Sequence, residues 1–164
     1  MENCFYIPPA KPPEQINPLV LAYLGDTVYD LFIRQKLIVG KNHRPDYLHK
    51  QASRYVSAKA QAEALRVMLP ALSDEERDVV KRGRNAKSGT VPKNANVIDY
   101  RQSTAFECLL GYLYYKERHE RLREIMELSL AKDAGGKLVC EKTKTARGSD
   151  SSAAPAAASS GKSE

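Results

Sequence analysis

LAYLGDTVYD, residues 21–30, places a carboxylate inside an otherwise apolar run. Asp26 directly follows Gly25, and the residues around this pair have the apolar spacing of a helix packed in a protein core. Charged side chains are rarely buried unless they are paired. The function of the Asp26 carboxylate therefore depends on what the helix around it packs against.

This first helix is predicted to begin after Asn17, with Pro18 in its first turn, and to end near Gly40. At 3.6 residues per turn its large apolar residues form two groups. The first group is a stripe that consists of Val20, Leu21, Leu24, Val28, Leu31 and Phe32. The second group lies on the side of Asp26 and consists of Leu19, Ile33 and Leu37. Because both faces are apolar, the helix needs a second partner, either more of this chain or another subunit.

Residues 45–69 are predicted to form one or two helices, with a break near Ser57. Their inward positions repeat at helical spacing, and so does one polar row that is predicted to face outward. That row consists of Lys50, Arg54, Ser57 and Gln61. Its two basic side chains provide a candidate surface for an anionic partner.

The second half of the chain is also helical in pattern. Ser73 and Glu76 have the spacing of a capping box for a helix that runs to about Asn85. Residues 86–98 lack periodicity and are predicted to be a loop, and Asp99 is a candidate N-cap for the helix that follows. The buried stripe of that helix is predicted to be Ala105, Phe106, Leu109, Leu110, Tyr112 and Leu113. A last amphipathic helix follows, no segment alternates as strands do, and the predicted fold class is all-α.

Composition restricts the class of protein. The 164 residues include 26 Lys and Arg against 20 Asp and Glu, and the net charge of +6 favours an anionic partner. Three cysteines without a C-x-x-C pair indicate neither a disulfide framework nor a thiolate zinc site, which fits a reducing cytosol. No apolar run is long enough to cross a bilayer, so we expect no membrane partner.

The chain is predicted to contain one folded domain. Residues 1–15 form a Pro-rich leader and residues 16–133 the domain. Residues 134–164 are predicted to form a disordered tail, because from Arg147 onward it is made of Ser, Ala and Gly without large apolar side chains.

A second acid has the same unusual setting as Asp26. Glu107 lies in STAFECLLGYLY, on the side of its helix that carries Thr104, Cys108 and Gly111, which are all small. Small residues allow another helix to approach closely. If the approaching helix is the one with Gly25, the two carboxylates face each other and require a cation, for which Mg²⁺ is the natural candidate. The alternative is that both acids are solvated on helix surfaces.

The strongest charge feature is KRGRNAKSGTVPK, residues 81–93, which contains no acid. Basic side chains next to a flexible Gly- and Ser-containing loop can lie along a phosphate backbone. The candidate nucleic-acid contacts, with the outward basic residues upstream, are Lys50, Arg54, Lys81, Arg82, Arg84, Asn85, Lys87, Ser88 and Lys93. The alternative is a solvated basic turn.

These motifs together resemble a known family. YLGDTVYD resembles the signature of the ribonuclease III family, and STAFECLLGYLYY resembles its second motif. LHKQASRYVSAKAQA and RGRNAKSGTVPKNANVIDYRQSTAFECLLGYLY are similar to Mini-ribonuclease III, the branch that has the catalytic domain without a separate double-stranded-RNA-binding domain. The resemblance covers about residues 16–130.

The resemblance implies the ribonuclease III catalytic-domain fold and a homodimer that uses the second apolar face of the first helix. It implies that Asp26 and Glu107 are metal-binding catalytic carboxylates, that Mg²⁺ is the cofactor, and that double-stranded RNA is cut to leave 5′-phosphate and 3′-hydroxyl ends. The family's substrate is the precursor of large-subunit (23S) ribosomal RNA, in the bacterial cytoplasm or, in a plant, the plastid stroma. A ribosomal protein that remodels this RNA is among the partners the resemblance allows.

The sequence departs from the larger members of the family at two positions. Those members carry further acids where this chain has Ala22 and Thr104, so this chain has two of four acids. Fewer carboxylates should hold metal more weakly. Two rival hypotheses follow: a ribonuclease III-like RNA-binding or ribosome-assembly protein that has lost catalysis, and a purely structural helical dimer.

Overall fold

The computed structural model describes residues 6–40, 42–87 and 96–131, and all regular elements within these ranges are helices. Short 3₁₀ turns occur at Pro13–Gln15 and Leu69–Ala71. The α-helices are α1 (Pro18–Val39), α2 (Pro45–Tyr55), α3 (Ala58–Met68), α4 (Asp74–Asn85), α5 (Val97–Tyr115) and α6 (His119–Leu130). The predicted all-α fold is confirmed.

Helix α5 is the centre of the fold, with α1, α3, α4 and α6 packed around it. All six residues of its predicted apolar stripe are buried, and Phe106 stacks edge-on against Tyr29 of α1 with ring centroids 5.1 Å apart. A helix that is apolar nearly all round belongs in the interior. The burial of α5 therefore determines which faces of the other helices point inward.

Helices α1 and α5 meet backbone to backbone. A Cβ atom added to Gly25 would lie 1.8 Å from the carbonyl oxygen of Glu107, and one added to Gly111 would lie 2.0 Å from that of Leu21. Both distances are far below van der Waals contact, so no residue larger than glycine fits at either position. The close approach that the small residues predict is confirmed.

The predicted faces of α1 are partly wrong. The residues of α1 that are buried are Leu21, Ala22, Gly25, Tyr29 and Ile33. Val20 and Leu31, which were expected on the main stripe, are 54% and 56% exposed, whereas Ile33, expected on the second face, is 1% exposed. The error has a physical cause: the tightest contact of α1 runs through a glycine, which the spacing of large apolar residues cannot reveal.

The predicted break at Ser57 is confirmed. Ser57 is the N-cap of α3, and its Oγ accepts a hydrogen bond from the Ala60 N–H at 3.3 Å. Lys50 and Arg54 face outward as predicted. Gln61 does not, because it is 1% exposed, and this part of the outward row is wrong.

The caps of α1 and α4 also agree with the prediction. Asn17 Oδ1 accepts a hydrogen bond from the Leu19 N–H at 2.9 Å, and Ser73 and Glu76 form a reciprocal capping box. Glu76 is 2% exposed and pairs with Arg121 of α6 at 2.8 Å. The box therefore also ties α4 to α6.

The predicted cap of α5 is wrong. Asn96 is the N-cap, and its Oδ1 accepts a hydrogen bond from the Ile98 N–H at 2.9 Å. Asp99 lies in the first turn instead and pairs with Arg66 of α3 at 2.6 Å. A negatively charged side chain in the first turn interacts favourably with the helix dipole, so Asp99 stabilises the N-terminus of α5 without capping it.

Parts of the predicted leader and loop, and the whole predicted tail, lie outside the described residues. Among the helices that the structure does describe, none combines the length and the apolar character needed to cross a membrane.

Gly25→Ala is expected to destabilise the protein by at least about 3 kcal/mol, because the added methyl group would overlap the α5 backbone. Gly40→Ala is the matched control, since nothing lies within 4 Å of a Cβ atom there and its φ of −96° suits alanine. That control should change stability by less than about 0.5 kcal/mol. Denaturant unfolding measures both, and equal stability of the two variants would contradict the backbone contact.

Candidate active site

Asp26 and Glu107 open into the same groove between α1 and α5. Its volume is about 290 Å³. The lining residues are Leu19, Ala22, Tyr23, Asp26, Tyr100, Thr104 and Glu107. The Glu107 backbone lies against Gly25. Asp26 follows Gly25 in the chain and therefore lies at the edge of the contact between the two helices. The glycine contact therefore brings the two carboxylates together, as the sequence predicts.

The two carboxylates differ in their exposure. Asp26 is exposed at the mouth of the groove, whereas Glu107 is partly buried. Burial and the negative charge of Asp26 raise the pKa of Glu107 to about 8, although an interaction with the Gln61 side chain lowers it in part. The pKa of Asp26 is also raised, by partial burial and by Asp30. The hypothesis of two freely solvated acids therefore does not fit Glu107.

This donor set suits a hard cation such as Mg²⁺. Mg²⁺ binds one or two carboxylates and keeps several waters, and an open groove leaves room for them. A cation between the acids would lower the pKa of both by opposing the charge repulsion. Within the described ranges no three or more His, Cys, Asp and Glu side chains converge as a metal cluster. The residues present fit a cation held by two acids, with water or substrate as its other ligands.

The positions that lack the family's further acids lie in the same groove. Ala22 is 5% exposed and adds no donor atom. Thr104 donates its hydroxyl hydrogen to the Tyr100 carbonyl at 3.0 Å, a bond within its own helix. Neither residue replaces an acid as an anionic ligand.

Sequence reasoning also misplaced Gln61, which does not line the groove but affects the pKa of Glu107. It was expected to face outward because glutamine is polar, yet it packs inside with Leu65 and Met68 of α3. These residues follow it by four and seven positions, which is the spacing of one helix face. That apolar repeat was the available signal that Gln61 lies inward.

The basic residues of α4 differ in their environments. Arg82 is partly buried and donates from Nη2 to the Ile16 carbonyl at 3.1 Å. Lys81 is exposed and pairs with Asp78 of the preceding turn at 3.1 Å. Arg82 thus anchors α4 to the segment that precedes α1, a role that sequence reasoning did not assign to it.

The basic stretch is exposed at and just after the end of α4. Arg84, Asn85 and Lys87 are exposed, and the Arg84 Nε lies 3.4 Å from the Asn85 side-chain oxygen. Ser88 and Lys93, also predicted to contact RNA, lie outside the described residues. Lys50 and Arg54 are exposed on α2.

Comparisons with known proteins agree with this geometry. The Ribonuclease III domain family matches residues 19–118. Mini-ribonuclease 3 of Brevibacillus brevis is 54% identical over 121 residues, which cover 74% of this chain and 90% of that protein. The corresponding protein of a Thermoanaerobacter species is 52% identical over 115 residues, or 70% of this chain and 81% of the relative. A Fusobacterium nucleatum protein of known crystal structure is similar in fold, with a TM-score of 0.66 and 29% identity over 76% of this chain and 99% of that one.

Glu107→Gln is expected to change how stability depends on pH when chelator is present. Because the folded state raises the pKa of Glu107 from 4.5 to about 8, the folded protein binds the proton more tightly than the unfolded chain. Wild-type stability should therefore fall as pH rises from about 5 to 8, and the variant should lack this loss. At pH 8 we expect the variant to be at least about 1 kcal/mol more stable than wild type, and the difference to vanish near pH 5.

Thermal unfolding across that pH range, with Glu120→Gln as the exposed control, measures the effect. If the stability of wild type and that of Glu107→Gln depend on pH in the same way, the folded state does not raise the pKa of Glu107 and the side chain is solvated.

Proposed function

Because the chain belongs to the ribonuclease III family, and within it to the Mini-ribonuclease III branch, it is an endoribonuclease that acts on double-stranded RNA, and we propose that Asp26 and Glu107 hold the Mg²⁺ for this cleavage. One observation carries the proposal: the contact of Gly25 with the Glu107 backbone, which brings the two carboxylates to one open groove. The expected products have 5′-phosphate and 3′-hydroxyl ends.

When bound, Mg²⁺ supplies an activated water and positive charge for the scissile phosphate. The contribution of the chain is to bind and orient this cation and to leave space for the RNA backbone. Glu107 must lose a proton first, because burial and Asp26 raise its pKa to about 8. Asp26 is exposed and lies where a phosphate can approach. With two acids instead of four, Asp26 and Glu107 would leave more of the cation's ligands to be supplied by water and RNA phosphate.

The exposed basic residues are proposed to bind phosphates of the duplex. A-form RNA is recognised mainly through its shape, its 2′-hydroxyls and its phosphates, so the contacts need not read sequence. The proposed residues are Lys50, Arg54, Lys81, Arg82, Arg84, Asn85, Lys87, Ser88 and Lys93. The exposure of Arg84, Asn85 and Lys87 next to each other supports the assignment most directly. Arg82 combines this role with its bond to Ile16.

A homodimer is proposed to form through the outer face of α1. Val20, Tyr23, Leu31 and Ile38 are between 54% and 82% exposed, and their spacing puts them on one side of the helix, opposite Gly25. An exposed apolar stripe of this kind is typical of a protein interface. A two-fold dimer would provide one groove for each strand of a duplex. This face replaces the predicted second face, whose Ile33 is in the core.

The substrate is proposed to be the 23S ribosomal RNA precursor, in the cytoplasm of a bacterium. The similarity to proteins named Mini-ribonuclease 3 and the bacterial sources of those relatives support this. A ribosomal protein that remodels the RNA is a further proposed partner. The catalytic domain is proposed to span residues 16–133, with a leader before it and a tail after it.

Asp26→Asn is expected to abolish cleavage while RNA binding persists, because it removes a carboxylate from the pair and leaves the basic surface intact. We expect kcat on a long double-stranded RNA to fall by at least about 100-fold, since even groups that merely support metal ligands contribute 10–100-fold. Cleavage by wild type should stop with excess chelator. Asp74→Asn, whose carboxylate is fully exposed on α4, is the control and should cut normally.

The same assay separates the rival hypothesis of an inactive RNA-binding protein, which the lack of acids at Ala22 and Thr104 favours. Wild type that binds RNA but never cuts it with Mg²⁺ would support that rival.

Arg84→Ala and Lys87→Ala are each expected to raise KM for double-stranded RNA with little change in kcat, because these residues contact phosphates rather than the reacting atoms. Each should also reduce, by about one, the slope of the logarithm of the binding constant against the logarithm of the salt concentration, because one phosphate contact is lost. Arg82→Ala should additionally lower stability by about 1 kcal/mol or more, since it removes the bond to the Ile16 carbonyl.

Kinetics at several salt concentrations and thermal unfolding measure these effects, with the exposed Arg123→Ala of α6 as control. Loss of turnover at saturating RNA in Arg84→Ala or Lys87→Ala would overturn the assignment.

A further inference from the structure

Gln61 is a buried polar residue whose side-chain amide lacks well-formed hydrogen bonds. It is 1% exposed, and neither its Nε2 nor its Oε1 makes a hydrogen bond of good geometry to any residue that the structure describes. Gln61 is the only described residue with buried side-chain polar atoms in this condition. A buried amide without partners is costly, and an apolar side chain of the same shape would avoid that cost. The position therefore calls for a reason to carry an amide.

The location of Gln61 suggests that reason. It lies in the second turn of α3, which packs against α5, the helix that carries Glu107. Its side chain also lowers the pKa of Glu107 in part, against the larger effects of burial and Asp26. Only the amide N–H can favour a carboxylate in this way, since the amide oxygen would repel it. Gln61 thus approaches Glu107 from the protein interior, while Asp26 faces it across the groove.

We propose that Gln61 is a positioning residue for Glu107: its amide N–H directs the Glu107 carboxylate into the groove in the orientation that binds Mg²⁺. The proposal rests on the proposed Mg²⁺-dependent cleavage. Carboxylates that bind a metal are themselves usually held by hydrogen bonds, which fix their orientation. With only two acids in this site, the orientation of the partly buried one has a large effect on metal affinity. A cation in the groove would keep Glu107 charged, and a charged carboxylate is a stronger acceptor for the Gln61 amide N–H than a protonated one.

The competing explanation is that Gln61 only fills space. The variant Gln61→Met preserves the length and approximate volume of the side chain but removes the amide. The two explanations predict the same stability for this variant but different metal affinity and turnover. If Gln61 only packs, the variant loses an unsatisfied amide and nothing else, so it should be equally or more stable and fully active. If Gln61 positions Glu107, the variant should again be equally or more stable, but metal affinity and turnover should fall.

The experiment compares wild type, Gln61→Met and Met68→Leu, a volume-conserving change of a buried residue about two turns further along α3. Each is tested for the Mg²⁺ concentration that gives half-maximal cleavage, for kcat and KM with double-stranded RNA, and for the rise in melting temperature that Mg²⁺ produces without RNA. We expect Gln61→Met to need about 10–100-fold more Mg²⁺, to show a smaller thermal rise, and to keep the wild-type KM for RNA. Met68→Leu should behave as wild type.

A wild-type Mg²⁺ requirement in Gln61→Met would overturn the positioning role while the nuclease function stands. Wild type that fails to cut under every Mg²⁺ condition would instead remove the nuclease proposal, and the positioning role with it.

A measurement on wild type keeps the test decisive even if Gln61→Met does not fold. The side-chain NH₂ signal of Gln61, assigned by NMR through its own backbone, should shift on Mg²⁺ titration with the same midpoint as the thermal rise. The signal of the exposed Gln35 is the internal control and should not move. In Glu107→Gln the Gln61 signal should no longer respond to Mg²⁺, and a Gln61 signal that never responds in wild type would contradict the proposal.

Discussion

The contact between the backbones of α1 and α5 is the constraint on which the rest of the structure depends. Gly25 lies against the Glu107 carbonyl and Gly111 against that of Leu21, so the two helices are closer than side chains would permit. This contact fixes the position of the residue after Gly25 relative to Glu107. It also turns the opposite side of α1, with Tyr23 and Leu31, away from the core. One packing contact thus creates both the acidic groove and the exposed apolar face.

Glu76, which is buried, and Glu107, which is partly buried, show how differently this fold treats negative charge. Glu76 is 2% exposed, but hydrogen bonds from Arg121 hold its pKa below the ordinary value. Glu107 faces another acid instead, and its pKa is raised to about 8. The first arrangement stabilises the fold at neutral pH and the second opposes it. Structural ion pairs such as that of Glu76 with Arg121 also perturb pKa values, so it is the placement of Glu107 beside a second acid in a groove that agrees with the proposed active site.

The sequence was most informative where structure depends on near neighbours. The caps at Asn17 and Ser73 could be predicted because each needs only a side chain and an N–H two or three residues away. Asp99 was assigned wrongly because Asn96 competes for the same helix end, while Arg66, distant in sequence, provides Asp99 with a partner. Gln61 was misplaced for a related reason: its polarity favours solvent, but the packing of α3 on α5 places it inside. Small residues around Gly25 and Glu107 did indicate the helix contact, since close approach of two backbones depends on residue size alone.

The bond from Arg82 to the Ile16 carbonyl joins residues 66 positions apart in the chain. The bond closes a loop that begins just before α1 and ends in the last turn of α4. Because the packing of the helices already brings the two ends together, the bond itself adds little loop-closure entropy. The start of the helix that carries Asp26 and the base of the basic segment are thereby held on a common frame. If Arg84 and Lys87 bind phosphates as proposed, a force on them would reach the segment before α1 through this bond. In mechanical terms, Arg82 is a tie between α4, which carries the proposed phosphate contacts, and the segment that leads into α1 and its proposed catalytic Asp26.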